Sequence, residues 1–280
     1  MAFCILWELP YNCLLLTFSY INFCSFLKVT SVMVNVMILC FSLLLSSLLL
    51  QGVHSTTFTF KNRCNFTVWP GILTNAGTAP LSITGFELGS NASLAIPVPQ
   101  KWSGRFWARQ GCSNDASRRL SCQSADCGSG LLQCNNAGAI PPATLVEFTL
   151  NGADGKDFYD ISNVDGFNLP VSIVPHGLNG TNCSSVLCSA NINSRCPQEL
   201  WLKAADGSVV GCKSACLAFN TDEYCCRGAY GSPSACRPSS YAQYFKKACP
   251  QAYSYAYDDA TSTFTCIGAD YLITFCPHST

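Results

Sequence analysis

Cysteine content constrains the fold of this chain more than any other feature of its sequence. The 280 residues include 20 cysteines. Four of them precede residue 56: Cys4, Cys13, Cys24 and Cys40. The other sixteen lie between Cys64 and Cys276, and an even number is typical of a disulfide-bonded protein made in an oxidising compartment. We therefore expect a network of disulfides, whose pairing the cysteine positions alone leave open.

A zinc site is the alternative interpretation of these cysteines. Cys212 and Cys216 are four residues apart, and Cys225 and Cys226 are adjacent, so both pairs superficially resemble zinc ligands. Histidine is scarce, with 3 in the chain, and an oxidising compartment favours disulfides over thiolate ligands. We expect no metal and no other cofactor.

The first 55 residues differ in composition from the rest. Residues 33–50 are almost wholly apolar, and Val53 and Ser55 have the small-residue pattern of a cleavage site. These features predict a signal peptide that is removed after Ser55, followed by secretion. A transmembrane helix is the alternative that this length allows, but the following sequence is strand-like and rich in cysteine. Residues 1–32 form a second apolar stretch, which suggests an upstream extension or a mis-assigned start.

The predicted mature chain has no net charge and four sites for N-glycosylation. Without Lys28 and Glu8 it has fifteen basic and fifteen acidic residues, so its charge does not attract nucleic acid or anionic lipid. Four Asn-x-Ser/Thr sequons begin at Asn65, Asn91, Asn179 and Asn182. We expect glycans at some of these positions, as in other secreted proteins.

The apolar pattern beyond residue 56 is mainly that of β-strands. From Phe58 to Val68 apolar residues fall on even positions, the period of half-buried strands, which turns Asn65 outward. Strand patterns return in three later segments: residues 144–150, 157–175 and 261–276. Clusters of Gly, Pro, Asn and Ser separate these runs, so the sequence predicts an antiparallel sandwich or barrel.

Two cysteine-rich segments interrupt the strand pattern. Residues 110–141 have few large apolar side chains, which predicts a small loop lobe held by disulfides. Residues 190–249 form a larger lobe with one convincing helix, which Ser239 or Ser240 can cap, and with a shorter helical turn at 213–219. The β-sandwich core would then consist of residues 56–109, 142–189 and 250–280.

Several motifs resemble those of plant thaumatin-like proteins. The most distinctive is Ser121-Cys-Gln-Ser-Ala-Asp-Cys127, preceded by Gly111-Cys112. Other segments agree with it: residues 102–107, 160–170, 224–226, 249–255 and 275–277. The resemblance covers the whole predicted mature chain, including the order of its sixteen cysteines. It implies a mainly β protein, a flattened antiparallel β-sandwich with two disulfide-rich lobes, the larger containing a short α-helix.

The resemblance also implies eight disulfides and their pairing. In the family, one bridge ties the first strand to the last, and others close the lobes or anchor the larger lobe to the sandwich. The pairs implied here are Cys64–Cys276, Cys112–Cys122, Cys127–Cys134, Cys183–Cys266, Cys188–Cys249, Cys196–Cys212, Cys216–Cys225 and Cys226–Cys236.

Strand alternation places two carboxylates on sheet faces. Val146 and Phe148 share the apolar face of their strand, so Glu147 lies on the opposite face. By the same alternation Asp160 lies on the face of the following strand rather than in a loop. Two carboxylates on neighbouring strands are the minimum for glycoside hydrolysis, with one as the acid and the other as base or nucleophile.

In thaumatin-like proteins an Arg, a Glu and three Asp line an acidic cleft. The matching residues here are Arg105, Glu147, Asp160, Asp165 and Asp222. The resemblance implies that this cleft binds β-1,3-glucan or another cell-wall polysaccharide, and that Glu147 with Asp160 or Asp165 carries weak endo-β-1,3-glucanase activity. Clustered carboxylates raise one another's pKa, so a protonated carboxyl and an ionised one could coexist at about pH 5.

The same residues have structural interpretations. Asp165-Gly166 is an ordinary turn signal, Asp222 could be a solvated loop acid, and Arg105 with Glu147 could form an ion pair. The resemblance implies a secreted, monomeric, antifungal plant defence protein. A membrane-active or receptor-binding protein and a hydrolase inhibitor are the alternatives, and the neutral charge argues against the membrane-active class.

Overall fold

The computed structural model describes residues 33–42, 55–177 and 183–277. Residues 33–42 are helical and exposed. No helix in these three ranges is both long and apolar enough to cross a membrane. Most of the predicted signal peptide lies outside the described residues, as do the sequons Asn179 and Asn182, so cleavage and glycosylation there stay predictions.

Two five-stranded sheets form the sandwich. The strands in chain order are β1 (Thr56–Asn62), β2 (Val68–Thr74), β3 (Ser93–Val98), β4 (Ser103–Gln110), β5 (Ser113–Asn114), β6 (Leu120–Ser121), β7 (Leu145–Thr149), β8 (Asp157–Ser162), β9 (Val171–His176), β10 (Val186–Cys188), β11 (Trp201–Lys203), β12 (Val209–Cys212), β13 (Phe264–Cys266) and β14 (Asp270–Phe275). One sheet has the order β10-β9-β14-β1-β3 and the other β13-β8-β7-β4-β2, while β5-β6 and β11-β12 form small two-stranded sheets. The prediction of a mainly β fold is confirmed.

One strand pair departs from the antiparallel pattern. β1 and β14 pair in parallel, whereas every other pair of named strands in the described residues is antiparallel. No hairpin turn constrains the direction of two strands from opposite ends of the chain.

Aromatic side chains fill the space between the sheets. Phe58 of β1 is fully buried, with its ring centroid 4.6 Å from that of Phe148 and 5.0 Å from that of Phe106. Tyr271 of β14 stacks on Phe58, with the ring centroids 5.7 Å apart. Edge-to-face and stacked contacts of this kind stabilise a core beyond the burial of apolar area. The even positions predicted for β1 therefore do face the core.

After β1 the predicted alternation holds at Cys64 and Val68, which are buried, and fails at Phe66. Phe66, expected to be buried, is 37% exposed. The chain turns at Asn62, whose buried side chain accepts a hydrogen bond from the Cys64 backbone N–H and donates to the Phe66 carbonyl. Local side-chain bonding of this kind replaces the sheet ladder. Asn65 is exposed, as the sequence predicts.

Four short α-helices lie between β12 and β13: α1 (Ala215–Phe219), α2 (Asp222–Cys225), α3 (Ser240–Ala248) and α4 (Asp259–Ser262). Ser239 caps α3 by accepting a hydrogen bond from the Ala242 N–H, and Ser214 caps α1 in the same way. Both helices lie where the sequence predicts them. Residues 261 and 262 belong to α4 and not to the predicted final strand.

Eight disulfides join the same pairs of cysteines that the resemblance implies, from Cys64–Cys276 to Cys226–Cys236. The prediction of eight disulfides is confirmed. Cys40, in the predicted signal peptide, is unbridged and exposed. The boundaries predicted for the two lobes and the sandwich stay predictions.

Candidate functional site

Three charged side chains form a row across the outer face of the β13-β8-β7-β4-β2 sheet. Arg105 of β4 is directly opposite Glu147 of β7, and Glu147 is directly opposite Asp160 of β8. Directly opposite residues in an antiparallel sheet have Cβ atoms about 4.5–5.5 Å apart. The register of three neighbouring strands therefore brings these side chains together.

The row lines an open cavity of about 430 Å³. Asp165 adds a third carboxylate from the loop that follows β8. That loop turns at Gly166, which has a φ of +87°, and a Cβ there would lie 2.6 Å from the Cys212 carbonyl oxygen. Asp165-Gly166 is therefore a turn, as its sequence signal suggests, and the turn also places Asp165 in the cavity.

Arg105 and Glu147 form a partly exposed ion pair. The Arg105 Nε and Glu147 Oε1 atoms are 3.5 Å apart, and the side chains are 34% and 32% exposed. The Arg105 Nε is buried without a hydrogen-bond partner in the described structure. The contact is therefore electrostatic rather than a directed hydrogen bond.

The carboxyl groups differ in how strongly they hold a proton. Burial raises the pKa of Glu147, and the Arg105 guanidinium opposes that rise. Burial, followed by the charge of Glu147, raises the pKa of Asp160 to about 8. Because Arg105 faces Glu147 directly, Glu147 ionises first and Asp160 keeps its proton. Burial also raises the pKa of Asp165, again opposed by Arg105.

Asp222 does not line this cavity. It begins α2, where a carboxylate interacts favourably with the helix N-terminus. Its Oδ1 is 3.5 Å from the Arg227 Nε, and its side chain is 62% exposed. The structure therefore brings together four of the five residues that the resemblance implies.

Sequence reasoning missed two titratable residues of the cavity, Tyr253 and Asp259. The Tyr253 hydroxyl donates a hydrogen bond to Asp259 Oδ1 at 2.8 Å. The Tyr253 backbone N–H donates to the Ile161 carbonyl of β8 at 2.8 Å, which fixes the segment beside Asp160. Tyr253 lies within the recognised motif at 249–255, but no local pattern indicates that it meets Asp259.

The protonation of Asp160 makes stability depend on pH. The ordinary pKa is 3.8, and in the folded protein it is about 8, so between these values the folded state binds a proton that the unfolded state releases. Stability must then fall as pH rises through this range. Asp160→Asn removes the ionisation, so at pH 8 we expect it to be more stable than wild type by at least about 2 kcal/mol, or ~4–8 °C in Tm.

Thermal unfolding at a series of pH values checks this expectation. The advantage of Asp160→Asn should shrink towards zero below about pH 3, where Asp160 is protonated in both states. Asp154→Asn serves as a control, because that side chain is 83% exposed and should follow wild type throughout. Parallel profiles for wild type and Asp160→Asn would contradict the assigned protonation.

Comparison with known proteins agrees with the fold. The model of the Thaumatin family matches residues 62–277. Thaumatin-like protein 1 of Pyrus pyrifolia is 58% identical over 227 residues, 81% of this chain and 93% of that protein. A protein of Prunus avium named glucan endo-1,3-beta-glucosidase is 52% identical over 246 residues, 88% of this chain and all of that protein.

Among solved structures, the thaumatin-like xylanase inhibitor TLXI aligns with a TM-score of 0.42 and 22% identity. That alignment covers 79% of this chain and 99% of the inhibitor, and similarity at that level says nothing about activity. The family match spans most of the chain, and both plant relatives cover more than four-fifths of it. This chain therefore belongs to the thaumatin family.

Proposed function

We propose that this protein is a secreted plant defence protein that binds fungal cell-wall β-1,3-glucan in its acidic cavity and hydrolyses it slowly. The similarity to a protein named glucan endo-1,3-beta-glucosidase supports the substrate class. The eight disulfides support an extracellular location. The cavity volume of about 430 Å³ is within the common range for ligand sites.

The observation that carries the proposal is that Glu147 and Asp160 face each other on neighbouring strands and line one cavity, in environments that hold their protons unequally. Asp160, with a pKa of about 8, can keep a proton at the mildly acidic pH of an extracellular fluid. Glu147 faces Arg105 and ionises first. A protonated and an ionised carboxyl side by side are the two groups that glycoside hydrolysis requires.

Each residue then has a defined role. Asp160 donates its proton to the glycosidic oxygen as the bond to the sugar carbon breaks. Glu147 serves either as the base that takes a proton from the water attacking the sugar carbon, or as the nucleophile that attacks that carbon itself. Arg105 keeps Glu147 ionised, and Asp165 adds a polar group that can hold sugar hydroxyls.

Glu147→Gln is the direct test, because it keeps shape and hydrogen bonding but removes the ionisable group. We expect the release of reducing sugar from β-1,3-glucan to fall by roughly a hundredfold or more. If the cavity binds without turnover, retention on insoluble glucan should weaken instead. The Tm should change little, since Glu147 faces away from the core.

Glu87→Gln is the matched control. Glu87 is exposed and accepts a hydrogen bond from the Trp69 Nε1, which a glutamine carbonyl can also accept. The Glu87→Gln variant should therefore keep wild-type retention on glucan and wild-type hydrolysis of it. The proposal fails if Glu147→Gln unfolds the protein, or if glucan retention and hydrolysis are the same in both variants and wild type.

A further inference from the structure

A second cavity, of about 520 Å³, lies between residues 190–195 and the C-terminal half of α3. It shares no lining residue with the acidic cavity. Ala190, Ile192 and Ala248 give it apolar walls, and Tyr244 contributes a half-buried ring. Asn191 and Ser194 add polar groups.

Two cations border this cavity, and none of the described residues that line it is acidic. Arg195 and Lys247 both line it and are both exposed, and in the described part of the chain neither lies within 4.0 Å of a carboxylate. Lys246, the neighbour of Lys247, differs because its Nζ lies 3.0 Å from Asp258 Oδ2. The described lining of the cavity therefore carries two positive charges and no negative one.

Covalent and hydrogen bonds hold the walls in place. The disulfide Cys188–Cys249 joins the strand that precedes the 190–195 segment to the residue that follows α3. The Tyr244 hydroxyl donates a hydrogen bond to the Arg195 carbonyl at 2.6 Å. Cys196, the next residue, is bridged to Cys212. A ligand would meet a cavity whose walls are already ordered, which reduces the entropy lost on binding.

We propose that this cavity binds an oligosaccharide that carries carboxylates, such as a polyuronate. The Arg195 guanidinium and the Lys247 ammonium can each pair with a carboxylate of such a chain. The Tyr244 ring and the apolar walls match the C–H surfaces of a sugar, and Asn191 and Ser194 match its hydroxyls. The acidic cavity would repel the same ligand, so the two cavities would take different saccharides, a neutral glucan in one and an anionic chain in the other.

Isothermal titration with hexagalacturonate, compared with the neutral laminarihexaose, tests the proposal. The double variant Arg195→Gln, Lys247→Gln should bind hexagalacturonate at least roughly tenfold more weakly, because it loses two charge-assisted contacts. Both side chains are exposed, so the Tm should not change. Binding to wild type should weaken with added salt.

The double variant Arg63→Gln, Arg118→Gln is the control, because it removes two exposed charges elsewhere on the sandwich and the small lobe. It should keep wild-type affinity for hexagalacturonate. The proposal is overturned if this control loses as much affinity, if laminarihexaose competes for the site, or if polyglutamate binds as tightly as hexagalacturonate. Glu147→Gln should leave hexagalacturonate binding intact, which separates this result from the proposed glucan function.

Discussion

Replacing both Cys64 and Cys276 with alanine should lower the Tm by about 10–20 °C. This bridge ties β1 to the end of β14 across a sequence separation of 212 residues. In the chain-entropy account, a loop of that length restricts the unfolded state by about 5 kcal/mol. One kcal/mol corresponds to ~2–4 °C in a domain of this size. Differential scanning calorimetry of the mature protein measures the effect.

A short bridge provides the matched control. Cys112 and Cys122 are separated by 10 residues, for which the same account gives about 3 kcal/mol. Removing that pair should therefore lower the Tm by roughly half as much. Equal losses for the two pairs would show that loop closure does not govern the stability of this protein.

Arg109→Met should destabilise the protein by about 3 kcal/mol or more, ~6–12 °C in Tm. Arg109 is fully buried. Its guanidinium donates hydrogen bonds to the Trp69 carbonyl at 2.9 Å and the Leu132 carbonyl at 2.6 Å, so it fastens the small lobe to the sheet. Burial lowers the pKa of Arg109, and Asp126 opposes this shift. The variant would remove this donor from both part-buried carbonyls.

Hydrogen exchange locates the damage in Arg109→Met. The amides of residues 127–135 should exchange faster, because that segment loses its contact with the sheet. Arg119→Met is the control, since Arg119 is an exposed residue of the same lobe, and its Tm should stay within about 1 °C of wild type. A loss in Arg119→Met as large as that in Arg109→Met would rule out a specific role for the buried guanidinium.

The row of Arg105, Glu147 and Asp160 explains how a sheet surface can support acid–base chemistry. β-strand pairing sets the spacing of the three groups, and the order of charges along the row decides which carboxyl keeps the proton. If Arg105 faced Asp160 instead of Glu147, the same composition would favour the opposite assignment. The proposed roles therefore depend on strand register more than on residue types.

The sequence by itself determined those features that depend on local periodicity or on counting. Sixteen cysteines beyond residue 56 indicated a disulfide network, and family motifs supplied its pairing. Alternation along single strands placed Glu147 on the face opposite the apolar one, and Asp160 on a sheet face rather than in a loop. The serine before α3 and the apolar face of that helix predicted its position, because capping and helical spacing act within a few residues.

Only the tertiary structure decided which of these residues meet. Arg105 and Glu147 are 42 positions apart, and no local pattern sets the register of their strands. Tyr253 and Asp259 joined the cavity, and Asp222 was left outside it, because long-range packing determines the path of the connecting segments. The proton on Asp160 likewise depends on burial and on neighbours from other strands, which are properties of the folded chain.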